Sequence, residues 1–116
     1  MSDPEPTPDG SAFAASWLPV FERAHPPTAD ELADFVADCY ERDMVVVFDW
    51  VEWRDQGHVL LETSGAMERA TLRDLQQLIT LLIRQERFAE GTLEHAVQQG
   101  WIHRILDRMR AVSVVT

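Results

Sequence analysis

The chain has 116 residues, of which 46% are hydrophobic, and it carries a formal net charge of −10. This size and apolar content suit one domain with one core and exclude wholesale disorder. All ten basic residues are arginine and the one cysteine is Cys39, which excludes lysine-dependent catalysis, an internal disulfide and a Cys-x-x-Cys zinc site.

The acidic balance argues against direct contact with nucleic acid or with an anionic membrane surface. Residues 1–10, MSDPEPTPDG, carry three prolines and three acids, and we expect them to form a disordered acidic tail. Residues 11–116 are then a single helical domain. The start lacks the features of a signal peptide and no apolar run reaches the length of a membrane span, so we expect a cytoplasmic protein.

Two helices are predicted before residue 44. Ser11 caps the first, and Pro19 should kink or split it. Thr28 and Glu31 form a capping-box pattern that begins the second helix, whose apolar residues recur at helical spacing. These apolar residues are Leu32, Phe35, Val36, Cys39 and Tyr40.

Residues 44–48, MVVVF, are a β-branched run that is too short for a good helix. They predict either a short strand, with residues 112–115 as the candidate partner, or a buried extended connector. Asp49 is the candidate N-cap of the next helix, which ends at Ser64-Gly65. Trp50 and Trp53 share one face of this helix, and core packing explains them better than a stacking platform does.

Residues 71–88 predict a central helix, because apolar residues cover most of its circumference and leave only a narrow polar stripe. Ala70 or Thr71 is its cap. Gly91 suits a turn, residues 92–99 form a short helix, and the last helix begins near Trp101. The expected fold is mainly α, a compact single-domain bundle of five or six helices with at most one short strand-like segment at residues 44–48.

Three stretches combine aromatic, arginine and glycine positions in a specific pattern. They are residues 48–53 (FDWVEW), residues 70–91 with the run RQERFAEG, and residues 100–108 (GWIHRILDR). Together they resemble DUF6508, a family of bacterial and phage-borne proteins of unknown function, over roughly residues 30–110. Members carry a histidine after the Glu-Gly pair where this chain has Thr92, which argues against a histidine-based activity there. The resemblance therefore implies a fold more than a function.

Arg84, Arg87 and Glu90 form a candidate polar site at the exposed end of the central helix. They could bind an anion or a substrate, with Glu90 orienting an arginine. They could also form a structural ion-pair network at the helix C-terminus, where cations are favoured. We favour the network, because ion-pair networks imitate functional sites.

Acidic residues concentrate near the N-terminus, since residues 1–43 hold ten acids and two arginines and so account for −8 of the net charge of −10. Asp30, Asp34 and Asp38 recur every four residues, about 6 Å apart along the helix, which is comparable to the phosphate spacing of a nucleic-acid strand. The acidic stripe, our candidate partner-binding site, comprises Asp30, Glu31, Asp34, Asp38 and Glu41. A solvated helix face would show the same pattern.

No metal site and no cofactor are predicted. Among the histidines, His95 and His103 are the best candidate zinc pair, but neither His-x-x-x-His nor His-Glu-x-x-His occurs. Cys39 lies on an apolar helix face and should be an inert thiol. Asp49 and Glu52 could be paired catalytic carboxylates, although capping and the helix dipole explain them better.

The leading functional hypothesis is a non-enzymatic interaction protein whose acidic stripe binds a basic protein surface, such as that of a nucleic-acid-binding complex. In its sharpest form the protein is a DNA mimic, a phage or mobile-element inhibitor that occupies a nucleic-acid-binding groove as some anti-CRISPR proteins do. A second hypothesis is a small enzyme or ligand-binding domain centred on Arg84, Arg87 and Glu90. A third is an accessory oligomerisation module.

Overall fold

The computed structural model describes residues 9–114, with side chains through residue 112. Over this range the chain forms six α-helices and one 3-10 helix and contains no strand, which confirms the predicted mainly α fold. The helices are α1 (Gly10–Glu22), α2 (Ala29–Glu41), α3 (Trp50–Glu62), the 3-10 helix (Met67–Arg69), α4 (Leu72–Phe88), α5 (Thr92–Gln98) and α6 (Trp101–Val114). None of the helices within the described range combines the length and the apolar composition that a bilayer crossing requires.

Of the predicted tail, residues 1–10, the first eight residues lie outside the described part of the chain. Its last two residues form the start of α1: the carboxylate of Asp9, the N-cap, accepts from the backbone N–H of Ala12 at 2.9 Å, and Gly10 begins the helix. Asp9 therefore caps α1 in place of the predicted Ser11, because a carboxylate at this position satisfies a backbone N–H of the first turn.

α1 packs along α6, and this is the most extensive contact between two helices of the described fold. The helix continues through Pro19, so the predicted split does not occur. Proline inside a helix costs about 3 kcal/mol. Pro19 is exposed, whereas Phe13 and Leu18 of the same helix are buried in the core, and their packing offsets the lost backbone hydrogen bond.

α2 begins with the predicted capping box and adds one aromatic anchor to the core. The ring of Phe35 lies 5.8 Å from that of Phe13, 5.2 Å from that of Trp17 and 5.1 Å from that of Phe21, centroid to centroid. The last two pairs are edge-to-face, a geometry that aromatic rings favour. One phenylalanine of α2 is thus held by three rings of α1.

α2 ends in a tight left-handed turn at Asp43, whose φ is 61°. The backbone N–H of Met44 donates to the carbonyl of Cys39 at 2.8 Å, and that of Asp43 donates to the carbonyl of Tyr40 at 3.4 Å. This is a Schellman motif, in which the residue after the turn packs on the helix it follows. Met44 accordingly is fully buried.

The connector, residues 42–49, runs across α4 without forming the strand that its composition suggested. The side-chain amide of Gln76 donates to the carbonyl of Asp43 at 3.0 Å, and the backbone N–H of Val46 donates to the hydroxyl of Thr80 at 2.9 Å. The suggested strand pairing with residues 112–115 is wrong where the structure describes them, since α6 extends to Val114. The connector covers Gln76 and Thr80, so these two polar residues of α4 are buried.

α4 is the central helix and packs against α3, α5 and α6. Thr71 and Asp74 form a reciprocal capping box. The hydroxyl of Thr71 accepts from the backbone N–H of Asp74 at 3.1 Å, and the carboxylate of Asp74 accepts from the backbone N–H of Thr71 at 3.0 Å. The apolar residues of α4 that form the middle of the core are Leu75, Leu78, Ile79, Leu81, Leu82 and Ile83. The predicted central position of this helix is therefore confirmed.

α3 approaches α4 closely at Gly57. A Cβ added there would lie 2.7 Å from a methyl of Leu81 and 2.7 Å from the ring of Trp53, so no larger residue fits without displacement. Asp49 caps this helix as predicted, accepting from the backbone N–H of Glu52 at 3.2 Å. The close approach at Gly57 holds α3 against α4.

Candidate functional site

An open groove of about 770 Å³ lies between α3, the α4–α5 turn and the start of α6. We call it the aromatic groove. One wall is a face of α3 that carries Trp50, Arg54 and His58, residues that are four apart and therefore neighbours on the helix surface. The opposite wall is formed by the last turn of α4, with Phe88, and by α5, with His95.

The floor of the aromatic groove is the indole ring of Trp101, which is only 9% exposed. The imidazole of His95 stands edge-on to it at 5.3 Å between centroids, and that of His58 does so at 6.1 Å. The side-chain nitrogen of Gln85 lies 3.5 Å from Nε2 of His58. The floor thus combines an aromatic face with imidazole and amide groups that can donate or accept hydrogen bonds.

One edge of the aromatic groove is a ridge made of two neighbouring rings that are tilted against each other. The ring of Phe88 lies 5.9 Å from that of Trp50 at an interplanar angle of 31°, and the Phe88 side chain is 81% exposed. A phenylalanine is one of the side chains most often buried in proteins. The ridge therefore places aromatic surface in solvent.

The turn from α4 to α5 is held by Glu86, a residue that the sequence reasoning did not single out. Its carboxylate accepts from the backbone N–H of Gly91 at 2.9 Å and from that of Leu93 at 3.0 Å. Gly91 occupies the N-cap position of α5 with φ of 98° and has no side chain to cap the helix. Glu86 supplies the missing acceptor from α4 and so fixes the wall that carries Glu90 and His95.

A second hollow, of about 360 Å³, lies on the other side of the ridge and is lined by the connector and by Arg84 and Arg87. We call it the arginine hollow. Arg87 donates to the hydroxyl of Tyr40 at 3.3 Å. Within the described side chains neither arginine has a carboxylate within 4.0 Å, and Glu90 lines the aromatic groove instead. The ion-pair network that we favoured for this cluster thus does not form in the described part of the chain.

The acidic stripe divides into residues with structural partners and residues without them. Glu31 pairs with Arg23 at 2.7 Å and accepts from the backbone N–H of Thr28 at 3.0 Å. These two donors, of which Arg23 has the larger effect, lower the pKa of the Glu31 carboxyl to about 2.

Asp38 is also engaged, because its carboxylate accepts from the indole N–H of Trp17 at 2.7 Å and lies 3.3 Å from Arg42. Glu31, in the predicted capping box, and Asp38 are therefore both held by partners within the fold. Asp30, Asp34 and Glu41 are exposed and have no ion-pair partner among residues 9–112. These three remain available to an external partner.

Comparison with protein families matches residues 19–114 to a family of unknown function, DUF6508. The chain belongs to the DUF6508 family. The match covers the end of α1 from residue 19 and all of α2 to α6, and it confirms the resemblance noted in the sequence. No curated protein and no solved structure matches the chain.

The three stretches on which the resemblance to DUF6508 rests meet at the two hollows. Residues 48–53 supply Trp50, residues 70–91 supply the arginines, Phe88 and Glu90, and residues 100–108 supply Trp101. These stretches are separate in the sequence, and the fold brings them together.

Other residues singled out in this DUF6508 chain do not join the groove. His103 lies 3.3 Å from the carboxylate of Glu22 and, unlike the suggested partner His95, does not line the aromatic groove. Cys39 is buried, and burial together with the nearby Asp38 charge raises the pKa of its thiol. Among residues 9–112 no three potential ligands from His, Cys, Asp and Glu come together around a metal-sized space.

The groove residue that the sequence did not single out is His58. Its signal was present, because Trp50, Arg54 and His58 recur at four-residue spacing and so form one row on α3. Trp50 was assigned to the core together with Trp53, but only Trp53 packs against it.

Proposed function

We propose that this DUF6508 protein is a non-enzymatic interaction protein that binds a segment of a partner protein in the aromatic groove. The observation that carries this proposal is the 81% exposed Phe88, which lies beside Trp50 at the edge of a groove of about 770 Å³. Contiguous exposed apolar surface with a polar rim is typical of interaction sites. Aromatic residues are also enriched among those that dominate binding energies.

The dimensions of the groove suit an extended peptide. The α3 wall runs from Trp50 to Glu62, which is about 18 Å at 1.5 Å per residue. An extended chain covers this length with five or six residues at about 3.3 Å each. The imidazoles of His58 and His95 and the amide of Gln85 are placed to hydrogen-bond the backbone of such a segment.

Binding rather than catalysis is proposed because the groove lacks an activated nucleophile. A nucleophile is activated by an adjacent base that a third group orients. The thiol of Cys39 is buried away from the groove, and in the described structure neither His58 nor His95 has a carboxylate within 4.0 Å. The alternative of an enzyme centred on Arg84, Arg87 and Glu90 has less support, since Glu90 lies across the ridge from both arginines.

A second candidate surface for the same function is the acidic stripe. The supporting observation is that Asp30, Asp34 and Glu41 are exposed without an ion-pair partner in the described part of the chain. Its partner would be a basic protein surface evolved for phosphates, and the protein would act in the cytoplasm as a nucleic-acid mimic, for example as a phage or mobile-element inhibitor of the anti-CRISPR kind. Association would be accelerated by charge and weakened by salt.

Site-specific photocrosslinking in the native host distinguishes these surfaces. The photoreactive residue p-benzoylphenylalanine replaces Phe88 in the aromatic groove, Asp34 on the acidic stripe, or Arg69 as a control. All three positions are exposed, and Arg69 lines neither hollow. Adducts are identified by mass spectrometry.

The proposal expects one partner protein that crosslinks at position 88 and not at position 69, and loses the crosslink when Trp50→Ala is added. Adducts at position 34 alone would move the function to the acidic stripe and contradict the groove. Adducts only between two copies of this chain would support the oligomerisation module instead. No adduct above the level of position 69 at either surface would refute the interaction function.

A further inference from the structure

The arginine hollow adjoins the aromatic groove, because both are lined by the ridge residues Trp50 and Phe88. A segment that lies in the groove and crosses the ridge therefore enters the hollow at once. Arg84 and Arg87 are three residues apart on α4, so their side chains lie on the same face of the helix. The hollow thus presents two guanidinium groups next to exposed aromatic rings.

These two arginines differ from most others in the chain. Among the described side chains, four arginines lie within 4.0 Å of a carboxylate and two donate to backbone carbonyls. Arg87 donates only to a neutral hydroxyl, that of Tyr40, and for Arg84 no acceptor is found within the described range. The six engaged arginines are Arg23, Arg42, Arg54, Arg104, Arg108 and Arg110.

Unneutralised cations are unexpected in a protein with 20 acidic residues and a net charge of −10. Arg69 and Arg73 also lack a carboxylate partner in the described structure, but they line neither the aromatic groove nor the arginine hollow. Only at Arg84 and Arg87 does the missing partner coincide with a concave surface and an aromatic ridge. This coincidence indicates that an external acid completes the site.

Resting on the proposed function, we infer that the bound partner segment is acidic. It places an apolar or aromatic side chain in the aromatic groove and, beyond the ridge, an Asp or Glu carboxylate between Arg84 and Arg87. Guanidinium groups match carboxylates with two parallel hydrogen bonds, which gives direction as well as attraction. A single carboxylate suits the site better than a polyphosphate, because the net charge of −10 repels polyanions.

The test selects ligands without assuming a partner. A phage-displayed library of random linear peptides is panned on the immobilised full chain, and enriched peptides are synthesised and titrated by fluorescence anisotropy. The variants are Phe88→Ala, the double variant R84Q/R87Q, and the matched control R69Q/R73Q. The control also removes two positive charges, but from positions that line neither the groove nor the hollow. Each peptide is also made with its acid replaced by the amide and by phosphoserine.

We expect enriched peptides to carry Asp or Glu beside Trp, Phe or Leu. R84Q/R87Q should weaken them by about tenfold or more, and R69Q/R73Q by less than about twofold. Replacing the peptide acid by its amide should weaken binding to the wild type but not to R84Q/R87Q, since both changes remove the same contact.

Peptides that depend on Phe88 but bind wild type and R84Q/R87Q equally would overturn this inference and leave the groove function intact. Phosphoserine peptides that bind more tightly than the acidic originals would assign the arginines to phosphate and overturn the carboxylate. If no enriched peptide depends on Phe88, the inference fails together with the proposed groove.

Discussion

Replacing Thr80 by valine tests how the connector is held against α4. Thr80 is 1% exposed, and its hydroxyl accepts from the backbone N–H of Val46 at 2.9 Å while donating to the carbonyl of Gln76 at 2.8 Å. Valine has nearly the same shape, so Thr80→Val removes the hydroxyl and little else. The change matters for the site, because Thr80 and Val46 both line the arginine hollow.

The expected cost follows from which groups lose a partner. Val46 is partly buried, and its N–H is left without an acceptor, which costs about 1–3 kcal/mol of the free energy of unfolding. The Gln76 carbonyl still accepts the helical hydrogen bond from the backbone N–H of Thr80. Losing the hydroxyl as its second donor therefore adds little to the cost. Thr80→Ser is the matched control: it keeps the hydroxyl and removes one buried methyl group, at about 1 kcal/mol.

Urea unfolding followed by circular dichroism measures both variants, and amide hydrogen exchange of Val46 reports the bond itself. We expect Thr80→Val to lower the free energy of unfolding and to accelerate exchange at Val46, whereas Thr80→Ser keeps the amide protected. If Thr80→Val stays within about 0.5 kcal/mol of the wild type and Val46 remains protected, the connector is held by other contacts and this reasoning is wrong.

Three further predictions use the same unfolding assay. Leu82→Ala, in the middle of α4, should cost about 2–5 kcal/mol, and a loss below about 1 kcal/mol would contradict the central position of the helix. Asp38→Ala leaves the Trp17 indole N–H unpaired and should cost about 1–3 kcal/mol, whereas Asp34→Ala should stay within about 0.5 kcal/mol; equal effects would refute the division of the stripe. The Glu31 carboxyl has a pKa of about 2 in the folded protein, below its ordinary value of about 4.5, so its stabilisation is present above pH 4.5 and lost as the pH falls toward 2. The stability difference between wild type and Glu31→Gln should therefore shrink over that range, and a difference that is constant with pH would contradict the assigned ion pair.

Local signals in the sequence predicted the helices well, because the caps that define them are local. The Thr28–Glu31 capping box, the Asp49 cap and the Thr71 cap were all found at their predicted places. The split at Pro19 does not occur and residues 44–48 form a connector rather than a strand, since there tertiary contacts override propensity. Packing on α6 carries α1 through the proline, and two side chains of α4 take the backbone hydrogen bonds that a strand partner would have used.

The candidate site was only partly predictable, because its members are distant in sequence. Arg84, Arg87 and Glu90 looked like one cluster, yet the end of α4 and the turn after it direct the arginines and Glu90 to opposite sides of the Phe88 ridge. His95 was considered only as a zinc ligand, and its contact with Trp101 arises from the packing of α5 on α6. No spacing rule within one helix could have revealed that contact.

The four tryptophans provide the most direct test of the central claim, that a partner binds in the aromatic groove. In a ¹⁵N-labelled sample each indole N–H gives a separate signal that responds to binding near its own ring. Trp50 and Trp101 line the groove, whereas Trp17 is hydrogen-bonded to Asp38 of the acidic stripe. The crosslinked partner, or a selected peptide, is titrated into this sample. We predict that the Trp50 and Trp101 signals shift and that the Trp17 signal does not. A shift of Trp17 with unchanged Trp50 and Trp101 would contradict the groove and assign binding to the acidic stripe.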